Sequence, residues 1–163
     1  MDAQRKPVRG EFLVYLETDA AAERQIFPSE DFVVERVPDL SSAYLARSKD
    51  AEAPEEVAVQ RLRQAAGETC RIFPVLEDNE GHRLLPTGHI NLLFEDALAE
   101  TDLAAWLDHR GLALISRSKM RPSALTVSPV SPQERLELVV RRLREDPEVE
   151  FAEQDVLMRF QRE

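Results

Sequence analysis

The 163-residue chain has a single cysteine, Cys70, and only five glycines. One thiol forms no intramolecular disulfide and supplies no Cys-x-x-Cys pair, so redox and metal-chaperone chemistry drop out, and Cys70 is expected to be buried and inert. Five glycines are too few for phosphate-cradling loops, and no phosphate loop, dinucleotide fingerprint or Gly-x-Ser-x-Gly elbow is present. No run approaches the ~20 apolar residues that a membrane span needs. Positive charge is in deficit, 21 Lys and Arg against 31 Asp and Glu, for a net charge of −10. That balance repels nucleic-acid phosphate and anionic membrane, and favours a basic protein surface as partner. Arg5, Lys6 and Arg9 are followed by no apolar core, so a secretory signal peptide is not expected. The chain reads as cytoplasmic as written, or secreted or periplasmic if trimmed from a precursor.

What is present is an ordinary globular composition, 43% hydrophobic and 32% charged, with ten prolines to punctuate loops. It also contains a repeat. Glu11 to Glu17 aligns with His89 to Glu95 at an offset of 78, with apolar residues alternating as in a strand. Pro54 and Pro132, each expected at a helix start, and Phe73 and Phe151, each in a last strand, stand at the same offset.

In the second half, a strand over Ile90 to Glu95 precedes a helix with Thr101 as N-cap, Leu103, Trp106 and Leu107 on one face, and Gly111 at its C′ position. Leu112 to Ser116 and Ala124 to Ser128 read as a hairpin. Ser131-Pro132-Gln133-Glu134 has the pattern of a capping box opening a second helix, which carries Leu136, Val139, Val140 and Leu143 inward and stops at Asp146-Pro147. Val149 to Asp155 closes a β-α-β-β-α-β order.

The first half repeats that order in eroded form: strand Phe12 to Glu17, a short helix near Ala20 to Gln25, strands Phe32 to Val37 and Ala43 to Arg47, helix Pro54 to Ala66, and strand Thr69 to Leu76. The expectation is an α+β protein of two tandem ferredoxin-like (βαββαβ) halves with antiparallel sheets, the first degenerate: 8–78, a linker over 79–88, and 89–163 with an extended tail. Halves of ~80 residues bury only about 60–70% of their unfolded surface, so each gains from packing on something else.

Catalytic signals are few. His82, His89 and His109 lack any spacing that places two ligands together, and no metal or cofactor is expected. The pairs Glu77 with Asp78 and Glu95 with Asp96 read as solvated strand ends rather than acid–base machinery. An RNA-binding use of this fold requires stacking aromatics on a basic sheet, where this chain has Leu92, Leu93, Phe94 and acidic neighbours. The second sheet face is expected to be apolar, from Leu93, Leu112, Leu114 and Ile115, and to be covered by a partner or by the first half.

Three segments resemble the prodomains of subtilisin-family serine proteases, in particular the fervidolysin-like branch. Leu84-Leu85-Pro86-Thr87-Gly88-His89-Ile90-Asn91-Leu92-Leu93-Phe94 is similar to its "LPTG-x-I-x-V-x-F" strand, Leu107 to Leu112 to its "L-x-x-H-G-L" helix end, and Asp146 to Phe160 to its final helix stop, "V-x-x-V/A-E-x-D" strand and tail. The resemblance covers roughly residues 84–160. It implies a non-enzymatic module that inhibits, or assists the folding of, a subtilisin-like protease in cis or trans. Its sheet would pack on two protease helices, Glu153 and Asp155 would meet the helix N-termini, and Val156, Leu157, Met158, Arg159, Phe160 and Gln161 would lie in the substrate cleft as an added strand. The alternative is a regulatory or oligomerisation module, with the oligomeric state left open.

Overall fold

A computed structural model describes residues 5–16, 31–38, 40, 43–50, 52–66, 70–131 and 134–159, the side chain of Arg159 excepted. The chain is α+β with antiparallel strand pairing, and three helices lie among the described residues. Its residues divide into two compact units, 1–86 with 156–163, and 87–155.

The first unit is built on β1 (Lys6–Tyr15), β2 (Phe32–Arg36), β3 (Ala43–Ser48), α1 (Glu55–Ala66), β4 (Arg71–Glu77) and the opening of β5 (Arg83–Phe94). Its strands lie in the order β2-β3-β1-β4, followed by β5. Alternation along β1 sends Phe12 and Val14 to one face and Leu13 to the other, and all three are buried. Phe12 and Val14 join Phe32, Tyr44, Ala46 and Ile72 against Ala58 and Leu62 of α1. Leu13 joins Val37, Ala43, Leu45, Val75 and Leu85 in a separate cluster, onto which Val8, Tyr15, Leu40 and Leu157 pack.

Register is fixed at the rim by charge. Glu11 faces Arg47 across β1 and β3 at 3.7 Å and also meets Arg83 at 3.1 Å, while Arg47 reaches Glu35 and Arg83 reaches Glu77. A one-residue slip would part these pairs and turn the apolar set outward. Pro54 opens α1, its carbonyl accepting the Ala58 N–H at 3.1 Å. Cys70 is buried, as expected, and burial pushes its thiol up, with the nearby Arg63 charge opposing. The predicted helix near Ala20 to Gln25 lies outside the described residues.

The predicted linker requires correction. Residues 83–88 are the first half of β5, a twelve-residue strand, and only 78–82 form a turn, closing β4 onto β5 with Glu77 opposite Arg83. Asp78 organises that turn, accepting the N–H of Glu80 and of His82 at 2.9 Å each and facing His82 Nδ1 at 3.0 Å. Gly81, at φ +82°, occupies the left-handed conformation that favours glycine.

The second unit holds the rest of β5, α2 (Glu100–His109), β6 (Leu112–Arg117), β7 (Ala124–Pro129), α3 (Leu136–Glu145) and β8 (Val149–Arg159) as far as Asp155. Its strands lie in the order β8-β5-β7-β6. Ile90, Leu92 and Phe94 are buried on one face of β5, with Phe94 edge-on to Trp106 of α2 at 4.8 Å. The stripes Leu103, Trp106, Leu107 and Leu136, Val139, Val140, Leu143 are buried as their spacing predicts.

Two helix starts differ from expectation. Ala99, not Thr101, is the N-cap of α2, and α3 opens at Leu136 with Arg135 as N-cap. The Ser131–Glu134 capping box therefore does not open the helix, and Pro132 and Gln133 lie outside the described residues. Gly111, at φ +65°, follows α2 as predicted, and Asp146 ends α3.

Two stability predictions follow from these contacts. Leu13→Ala, which empties a fully buried site, should destabilise the first unit by about 2–5 kcal/mol, read as faster amide exchange in β1 and β3; unchanged exchange would contradict the packing. At Asp78, desolvation raises the carboxyl, but the hydrogen bonds from His82 and Glu80 overcome it and hold the group below its ordinary value. The ionised form therefore stabilises the turn above the unfolded value of about 3.9, and that contribution is lost as pH falls through the lowered folded value. In an NMR acid titration the Glu80 and His82 amide shifts should move with a midpoint below about 3.9; a midpoint at or above it would refute this.

Candidate interaction face

β5 alternates strictly from Thr87 onward. Gly88, Ile90, Leu92 and Phe94 are buried, whereas Thr87, His89, Asn91 and Leu93 are half-buried on the opposite face. β7 pairs with β5 in a register that places Asn91 opposite Thr126 and Ile90 opposite Val127, so the same division runs across both strands.

Asp155 of β8 is bound into this second face. The Thr87 hydroxyl lies 3.0 Å from Asp155 Oδ2 and 3.2 Å from its carbonyl oxygen, Asn91 Nδ2 donates to Asp155 Oδ1 at 3.2 Å, and the Thr126 hydroxyl donates to Asn91 Oδ1 at 3.3 Å. A line of polar side chains, Asp155–Asn91–Thr126, thus crosses three strands, with Thr87 beside it. The expectation of an apolar second face is corrected accordingly. Leu93 is there, and Phe151, two turns of the pleat before Asp155, is 41% exposed, but polar groups occupy the centre.

The apolar run in β6 has a local cause. Leu114 lies opposite Val127 and Ser116 opposite Thr126, with a register shift between them, so Ile115 is the extra residue of a bulge. Leu114 and Ile115 are consequently 44% and 48% exposed on a terminal strand of this unit. A depression of about 400 Å³ is lined by Asn91, Leu93, Ser116, Arg121, Thr126 and Phe151, among others. It combines apolar floor with polar side chains and contains no group arranged for acid–base or nucleophilic chemistry. Among the described residues no cluster of His, Cys, Asp or Glu could hold a metal ion, and no helix is long and apolar enough to cross a membrane.

The predicted site residues fall into three groups. Glu153 and Asp155, half-buried, are two apart in β8 and so leave the same strand face. Val156, Leu157 and Met158 continue β8 and belong to the first unit, where Leu157 packs on the Leu13–Leu45–Val75–Leu85 cluster. Arg159 ends the strand, and Phe160 and Gln161 lie outside the described residues. Thr87, Asn91 and Thr126 were not anticipated as partners of Asp155. Their signal was legible, since each polar residue sits between buried neighbours at strand period.

No family model matches the chain, and no solved structure does. Among curated proteins, the structure-specific endonuclease subunit slx4 of Penicillium rubens is similar, 29% identical over 94 residues, covering 56% of this chain and 10% of that protein. The chain thus spans about a tenth of that relative's length, and the likeness assigns it neither a family nor an activity.

Asp155→Ala removes the carboxylate that accepts from Thr87 and Asn91, leaving Thr87 the Asp155 carbonyl. It should destabilise the second unit by about 1–3 kcal/mol, lowering the urea midpoint followed by fluorescence of Trp106, the only tryptophan. An unchanged midpoint would show that the polar line contributes nothing.

Proposed function

We propose that this chain is a non-catalytic interaction module of the subtilase-prodomain type, built from two ferredoxin-like units, that binds a subtilisin-like serine protease in cis or in trans. The observation that carries the reading is the second unit's strand order, β8-β5-β7-β6, with one helix between β5 and β6 and another between β7 and β8. That is the split-βαβ arrangement, and it supports the motif resemblance over residues 84–160. The first unit's order, β2-β3-β1-β4, is the same under renumbering and supports a duplication.

In this reading the face bearing Glu153, Asp155, Phe151 and Leu93 meets the protease. Carboxylates there would satisfy orphan N–H groups at protease helix N-termini, each contact contributing on the order of 0.3–2 kcal/mol. Apolar area from Leu93 and Phe151 would supply non-directional affinity. A second reading, self-association, has one observation in its favour: the terminal strand β6 exposes Leu114 and Ile115. The bulge at Ile115 weighs against it, because bulges blunt edge pairing.

The test is inhibition of a bacterial subtilisin hydrolysing a chromogenic peptide. The full chain should inhibit, and Glu153→Ala should weaken inhibition by roughly twofold to tenfold. Asp155→Ala is measured beside it, with the hydrogen bonds from Thr87 and Asn91 lost as well. Absence of inhibition, together with no retention of the chain on immobilised subtilisin-like protease, would sink the proposal.

A further inference from the structure

The chain's C-terminal strand has two competing destinations. β8 runs unbroken from Val149 to Arg159 and pairs with β5. From Val156 onward it belongs to the first unit, and half-buried Leu157 packs on a cluster whose members are at most 3% exposed: Leu13, Val37, Ala43, Leu45, Val75 and Leu85. These residues lie on the face of the first sheet that α1 does not cover, as β1 alternation requires.

From this we infer that the first unit is a holder for the tail, an apolar cradle that withholds Val156–Met158 from a protease cleft until they are released. The inference rests on the prodomain reading for the second destination. A segment bound in a cleft as an added strand offers its main chain to the cleft and its alternate side chains to the subsites. The same side chain cannot occupy the cradle and a subsite together, so Leu157 must leave Leu13, Leu45, Val75 and Leu85 before the tail docks. The apparent dissociation constant then equals the intrinsic one divided by the fraction of molecules with a free tail. Loosening the cradle should tighten inhibition, the opposite of what a core substitution ordinarily does to binding.

The coupling is reciprocal. A protease that captures the tail removes Leu157 from the first unit's apolar cluster, so amides of β1 and β3 should exchange faster in the complex than in the free chain.

The experiment uses the full chain, with Val75→Ala and the milder Leu45→Val, a bacterial subtilisin and a chromogenic peptide. Hydrogen exchange of Val156–Met158 is measured in parallel. Faster exchange of those amides in a variant, with inhibition tightened by roughly threefold to tenfold, is the expected result. Faster exchange with unchanged or weaker inhibition overturns the cradle's role and leaves the prodomain reading standing. Absence of inhibition by the unsubstituted chain and both variants overturns that reading and this inference with it. If Val75→Ala loses its helical circular dichroism, Leu45→Val, a one-methylene change, carries the comparison.

Discussion

A strand that is apolar on both faces has to be covered on both, and β1 is such a strand. Phe12 and Val14 leave one side and Leu13 the other, and all are buried. One helix, α1, answers the first demand through Ala58 and Leu62. The second demand falls on residues from distant parts of the sequence: Val37, which follows β2, Leu85 from β5 and Leu157 from β8. Leu157 comes from outside the segment 1–86, and residues 156–163 are grouped with that segment in the first unit. Burying a Leu stabilises by about 1.5–3 kcal/mol when complete, so even a half-buried Leu157 is a meaningful share of a small unit's margin.

The second unit solves the same problem differently. Offset by 78 from Leu13 is Asn91, and where Leu13 faces Leu45 in the first unit, Asn91 faces Thr126 in the second. The apolar cross-strand pair becomes a polar one at the centre of that face. Asp155 completes the hydrogen bonding of Asn91 and Thr87. A carboxylate so engaged is already partly satisfied, and any external N–H donor has to compete with Thr87 and Asn91 or use a remaining lone pair. Glu153 leaves the same strand face two residues before Asp155.

The sequence made the alternating and helical segments legible, and less of what joins them. The strands around Leu13, Ala43 and Ile90 and the helical stripes of Leu103 and Val139 were readable because each has one period and a buried consequence. The 79–88 stretch opens with a charged turn that ends in Gly81, yet β5 begins at Arg83 and runs on through Pro86 and Gly88. Within β5 the Pro86 carbonyl accepts the Tyr15 hydroxyl at 2.7 Å and the Gly88 carbonyl accepts Ser128 Oγ at 3.3 Å. Gly88 takes a φ of +86° that glycine tolerates without strain. Tertiary hydrogen bonds thus carry the strand through two residues that local propensity would assign to a turn. The helix start at Leu136 was missed for the converse reason, because Ser131 to Glu134 satisfies a local pattern that the helix does not use.

At the tail, the sequence signal and its meaning separate. Val156, Leu157 and Met158 continue an extended, apolar pattern, which a resemblance to protease prodomains turns into a cleft-binding segment and which β8 turns into part of an intramolecular strand. Both uses demand the same properties, extended backbone and apolar alternation, so no feature of the segment alone distinguishes them. The distinction lies in the receptor. Leu13, Leu45, Val75 and Leu85 form an apolar surface within the same molecule, at an effective concentration that a separate protein must overcome. Under the proposed prodomain reading, a protease would win that competition only through contacts that the cradle does not offer, namely subsites for further tail side chains and the helix N-termini that would meet Glu153 and Asp155. If the proposed prodomain reading holds, the strength of the cradle would set how much of the partner's binding energy is left over as affinity.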